Sequence, residues 1–175
     1  MATDTHQVPS TSSPGLSHLA LPRSAVRGLA ASATSGELCP ELNLQDSAAE
    51  RLFAELGGNR SAFSNGELRC AAFRTQVVDQ LTENFFERNP SALGVGLWPL
   101  LGTRSHRFES QLWVDVDAPP VADLRRRFLP SRPGWLQQAS CLCNAAWVNG
   151  LAGGPNRQRL FVMDESVLPL TAEVM

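Results

Sequence analysis

Apolar residues recur along this chain at helical spacing in its first half and in short unbroken runs in its second, and the change falls at Asn89-Pro90. The segment DSAAERLFAELGG opens on Asp46, an N-cap residue type, carries Leu52, Phe53 and Leu56 at helical spacing, and closes on Gly57-Gly58. That combination predicts a short amphipathic helix. A longer helix is predicted from about Glu67 to Arg88, with Leu68, Ala71, Ala72, Val77, Val78, Leu81, Phe85 and Phe86 on one broad stripe. Pro90 ends it by disfavouring helical backbone at the residue before it. Beyond that point ALGVGLWPLL, QLWVDVDA and RLFVMDES are apolar runs, two of them ending in acidic residues, and they read as buried parallel strands. Between the second and third, PPVADLRRRFLP has helix character after its prolines and GWLQQAS reads as a further strand. NAAWVNGL reads as a short helix stopped by Gly153-Gly154-Pro155.

The order strand, helix, strand, repeated, predicts an α/β fold with an open parallel sheet, its ligands outside the carboxyl ends of the strands. Strands are expected near 92 to 98, 111 to 116, 135 to 139 and 159 to 164, with helices on both faces and the 67 to 88 helix packed against the sheet. Right-handed crossovers place the first strand between the second and the last. Residues 1 to 17 are rich in Ser, Thr and Pro, with too few large apolar groups to offset the entropy of ordering them, so a flexible tail is expected. The rest is read as one domain, with N-terminal helices over 18 to 90 and the strands and their helices over 91 to 175. No internal repeat is visible.

Composition changes this picture little. A chain of 175 residues, 43% hydrophobic and 18% charged, is ordinary globular material. Its formal net charge of -2 gives no electrostatic case for nucleic acid or an anionic membrane as partner. With no apolar run long enough to span a bilayer and no basic stretch leading into an apolar one at the amino terminus, a soluble cytoplasmic protein is expected. Among the four cysteines, Cys39, Cys70, Cys141 and Cys143, the C-x-C pair is tighter than a zinc knuckle and has no nearby histidine. Four reduced thiols and no metal are therefore expected. His18 and His106 stand alone in sequence, and no catalytic base is assigned.

Four ordered motifs carry the candidate chemistry. FRTQVVDQLTENFFERNP supplies Arg74, Thr75 and, four residues on, Asp79; ALGVGLWPLLGTRSHRF supplies Thr103, Arg104 and Arg107. LWVDVDAPPVADLRRRFLP ends a strand on Val116, Asp117 and Pro119, and RLFVMDESVLPLTAEVM places Glu165 after the last strand. Together, over about residues 24 to 175, these elements resemble the leucine carboxyl methyltransferase family, which includes O-methyltransferases of bacterial polyketide biosynthesis. The resemblance implies a Rossmann-like fold of the class I methyltransferase kind, with S-adenosylmethionine as cofactor and a hydroxyl or carboxyl of a small metabolite as methyl acceptor. It implies that Arg74 pairs with the methionyl carboxylate, that Asp117 accepts hydrogen bonds from the ribose hydroxyls, and that Glu165 sits near the cofactor's amino group or the reacting centre. Cys141 and Leu142 take the positions near the adenine.

The chain departs from the family pattern in two places. Aligned without gaps through Thr103 and Arg104, the two family glycines of the loop after the first strand fall on Trp98 and Leu100, and the family Asp falls on Gly102. Glycine belongs there because the backbone must turn tightly and approach the cofactor with no Cβ in the way. Gly94 and Gly96 lie a few residues earlier, and Gly96 is the candidate for that close approach. Trp98 either projects into the cleft between Arg74 and Asp117 or turns beneath the sheet. The family also continues with further strands after the glutamate strand. The expectation is an incomplete domain whose last strand is an exposed edge, covered by a second copy or a partner chain. The alternative function is a catalytically inactive binding or assembly module, or a gene fragment.

Overall fold

The computed structural model describes residues 21–141, 146–151 and 156–163. Two of its helices begin where side chains satisfy the unpaired N–H groups of a first turn. Asp46 caps α2 (Ser47–Glu55) by accepting from the amide of Ala49. Ser64 and Glu67 form a reciprocal capping box on α3 (Asn65–Arg88). Both helices fall where their apolar stripes predict them. A further helix, α1 (Arg23–Leu38), is not marked by such a stripe. It buries Ala25, Leu29, Ala30, Ala31, Ser32 and Ser35, and these small side chains let α1 lie close against α2 and α3.

The strands are β1 (Leu93–Leu97), β2 (Leu112–Asp117), β3 (Trp135–Ala139) and β4 (Arg159–Met163), with the one-turn α4 (Arg104–Arg107), α5 (Pro119–Phe128) and the one-turn α6 (Ala146–Asn149) between them. All pairs are parallel and the order is β3-β2-β1-β4. The first strand thus lies between the second and the last, as right-handed crossovers require. Architecture and strand bounds agree with the α/β reading of the sequence to within two residues, and β4 is an edge of the sheet among the described residues.

Side chains alternate across β2, so Trp113, Asp115 and Asp117 face one way and Val114 and Val116 the other. The valine face packs Leu93 and Val95 against Leu151 and Trp147 beside α6. On the aspartate face α5 covers β2 and β3, while Trp113 packs with Phe86 of α3. Gly94 serves this packing directly. A Cβ there would come within 2.2 Å of the Trp113 ring.

The cysteines need one correction. Cys39 and Cys70 are free thiols, but Cys141 is disulfide-bonded. The expected tail over 1 to 17, and Leu142, Cys143 and Glu165, lie outside the described residues.

Candidate functional site

At the carboxyl end of β2 two carboxylates are buried on either side of one guanidinium. Asp115 is 1% exposed, Asp117 0% and Arg125 of α5 0%. Arg125 donates to Asp115 Oδ2 at 2.6 Å and to Gln137 Oε1 at 2.8 Å, and its Nε lies 3.4 Å from Asp117 Oδ2. Asp115 also accepts from Ser105 and from the indole nitrogens of Trp113 and Trp135, so both oxygens of its buried carboxylate have donors. Asp117 accepts from the backbone N–H of Leu100 at 3.1 Å and from Gln137 Nε2 at 3.2 Å. Burial pushes the Asp117 carboxyl up to about 6, although the Arg125 charge acts in the opposite direction.

A second network joins two of the motifs found in the sequence to the cap of α2. Asp79 of α3 takes Arg104 Nε at 2.7 Å, and Arg107 Nε and Nη2 at 2.6 and 3.0 Å. Arg107 reaches on to Asp46, whose Oδ2 also accepts from Thr103 at 2.6 Å. The family-like Asp79, Thr103, Arg104 and Arg107 therefore fasten α3 and the cap of α2 to the turn that follows β1. This two-point grip on Asp79 fixes the planar guanidinium of Arg107 in direction as well as position.

Between β1 and that turn the chain makes the loop that departs from the family pattern. Trp98 has φ +47° and Leu100 φ +52°, and Asn43 is the other described residue besides glycine with positive φ. The two positions where the family carries glycine thus keep a left-handed, glycine-like backbone while bearing large side chains. Such a conformation costs roughly 1–2 kcal/mol per residue. Gly102, at the family Asp position, closes the turn by donating to Pro99 O, and a Cβ on it would meet that oxygen at 2.9 Å. Leu100 is buried against Ala25 and Val121, and Trp98 packs on the same cluster with Leu21, so its ring sits between α1 and α5.

The predicted site residues divide accordingly. Arg74 lines a cleft of about 160 Å³ with Arg27, Thr75, Arg104 and Met163. Gly96 lines an adjoining cavity of about 60 Å³ with Thr75, Thr103, Arg104 and Asp115, at the carboxyl end of β1. Arg74 and Gly96 are therefore brought together. Asp117 lines neither space, because the loop lies over its carboxylate. The missing Cβ of Gly96 leaves room for Asp115, whose Oδ1 would lie 2.3 Å from it. Sequence reading missed Asp115, Arg125 and Gln137. The V-D-V-D alternation hints at Asp115, but nothing in the run Arg125, Arg126, Arg127 marks which arginine is buried. Among the described residues no helix is long and apolar enough to cross a membrane, and no His, Cys, Asp and Glu cluster could hold a metal.

No protein-family profile matches the chain, and no solved structure matches it. Over 139 residues, covering 77% of this chain, it is 26% identical to a tetracenomycin polyketide synthesis O-methyltransferase, TcmP, of Streptomyces glaucescens. The match covers 50% of that protein, so the chain spans about half the length of its curated relative. The sequence is thus distantly related to an O-methyltransferase, in keeping with its parallel, Rossmann-like sheet.

Proposed function

We propose that this chain carries the cofactor-binding part of an S-adenosylmethionine-dependent O-methyltransferase of the leucine carboxyl methyltransferase kind, acting on a hydroxyl or carboxyl of a small molecule. The observation that carries this reading is the meeting of Arg74, Thr75, Thr103 and Arg104 around adjoining cavities at the carboxyl end of β1, in a sheet of order β3-β2-β1-β4. Ligands of open α/β sheets bind at that end, where the strand order reverses. Methyl transfer is an in-line displacement, so the protein's main task is to hold donor and acceptor close and aligned. Arg27, Arg74 and Arg104 line the larger cleft, and the planar guanidinium of Arg74 suits a carboxylate by its bidentate geometry.

The nucleoside side does not fit as the loop stands. The two cavities are smaller than the roughly 300–1,000 Å³ of pockets that enclose a ligand of such size, and Asp117 is covered. That observation favours the second reading, an inactive binding or assembly module. Isothermal titration with S-adenosylmethionine and S-adenosylhomocysteine separates the two. The enzyme reading expects saturable binding of both, lost in Arg74→Ala; no heat with either favours the inactive module.

A further inference from the structure

We propose that the segment Trp98 to Gly102 is a plug latched over Asp117, so that a ligand bearing vicinal hydroxyls reaches that carboxylate only when the loop swings away. This inference rests on the reading of the site as one for a nucleoside cofactor. The latch has two sides. From below, Asp117 Oδ1 holds the Leu100 N–H at 3.1 Å. From the side, Arg125 Nη1 donates to Leu100 O at 3.1 Å and to Gly102 O. The Leu100 side chain, 6% exposed, fills the space against Ala25 and Val121.

Two features work against the closed state. Trp98 and Leu100 both hold left-handed backbone that favours glycine. The indole N–H of Trp98 is buried without a hydrogen-bond partner, a group that gains one on meeting water. The turn itself closes only because residue 102 has no side chain, since a Cβ there would stand 2.9 Å from Pro99 O. An Asp at that position, as the family pattern has it, is incompatible with the closed turn. A loop held by specific bonds against its own backbone preferences is a two-state element, and ligand that binds only the open state draws the population toward it.

The decisive variant is Gly102→Asp, which disturbs the turn without removing any group that bonds Asp117 by its side chain. Hydrogen exchange at the Leu100 amide is measured in the native chain and in the variant, beside titration with S-adenosylhomocysteine. The expected result is exchange at Leu100 at least ten-fold faster in Gly102→Asp, with the amides of β1 and β2 unchanged, and binding at least ten-fold tighter. Native binding with Leu100 still protected overturns the plug and leaves the cofactor reading standing. Unchanged exchange in the variant also overturns the plug. Exchange that quickens with no binding in either chain upholds the plug and removes the cofactor reading. Should Gly102→Asp lose its sheet protection, Leu100→Gly replaces it, because glycine accepts the local φ while emptying the space over Asp117; the same outcomes then apply.

Discussion

Replacing Arg125 with methionine keeps most of the volume of a wholly buried side chain and removes the one cation between Asp115 and Asp117. The loss is larger than that of a surface ion pair, worth 0 to about 1 kcal/mol, because both carboxylates stay behind in a medium that solvates them poorly. Removing one partner of a buried pair costs roughly 3–5 kcal/mol, a substantial part of the roughly 5–15 kcal/mol that holds a domain together. For a chain of this size that corresponds to a melting point lower by roughly 6–20 °C. Urea denaturation at pH 7 measures it, with the midpoint falling and the slope unchanged. The double variant Arg125→Met, Asp117→Asn separates charge from packing. Its loss is expected to fall short of the sum of the single losses by about 1 kcal/mol or more, since one stranded charge has been removed. A loss under about 1 kcal/mol for Arg125→Met, or strict additivity in the double variant, would refute the reasoning.

Because its folded carboxyl sits at about 6, against 3.8 for the ordinary group, Asp117 contributes stability that is fully present below 3.8 and lost as pH rises through about 6. The stability of the native chain minus that of Asp117→Asn should therefore grow by roughly 2 kcal/mol from pH 7 to pH 4, and a flat difference counts against the burial argument. Taking the difference cancels His106, whose pKa is lowered by burial and whose contribution is lost as pH falls. Asp79→Ala removes the carboxylate that Arg104 bonds and leaves Arg107 with Asp46, and about 1.5–3 kcal/mol of stability should go with it by thermal melting. Gly94→Ala drives a Cβ to 2.2 Å from a Trp113 ring that has no room to shift, which should cost about 1–3 kcal/mol in urea denaturation.

β1 and β2 were legible because burial on both faces leaves unbroken apolar runs, whereas β3 and β4, also read as strands, are edge strands on which Leu136, Phe161 and Met163 are exposed. Helix α1 was not legible, since its buried face is Ala25, Ala30, Ala31, Ser32 and Ser35, residues whose size rather than hydrophobicity fits them to close packing. The motif reading found Asp79, Thr103, Arg104 and Arg107, and the structure shows why they travel together: they are one hydrogen-bonded cluster. It did not find Asp115 or Arg125, because a charged pair formed between β2 and α5 leaves no local periodicity. Arg126 and Arg127 look the same in sequence and are exposed. The glycine pattern was informative in a less direct way. It located the two positions that need left-handed backbone, while the residues filling them, Trp98 and Leu100, state that the need is met against local preference.

That conflict bounds how firmly the loop is shut. Two left-handed non-glycine residues cost together roughly 2–4 kcal/mol, while burying Leu100 returns about 1.5–3 kcal/mol and each hydrogen bond of the latch about 0.5–1.5 kcal/mol. The terms are similar in size, so the closed state leads by no more than a few kcal/mol, and an open state at roughly 0.1–10% of molecules follows. A ligand confined to the open state binds with an apparent affinity reduced by that same fraction, about ten- to a thousand-fold below its intrinsic value. Two unrelated measurements must then agree. The protection of the Leu100 amide in the native chain reports the open fraction directly, and the gain in S-adenosylhomocysteine affinity on Gly102→Asp reports it through binding. If the two factors match within about three-fold, one motion governs both; a binding gain much larger than the protection factor would mean that Gly102→Asp adds a contact of its own, and a much smaller one that the loop is not what limits access.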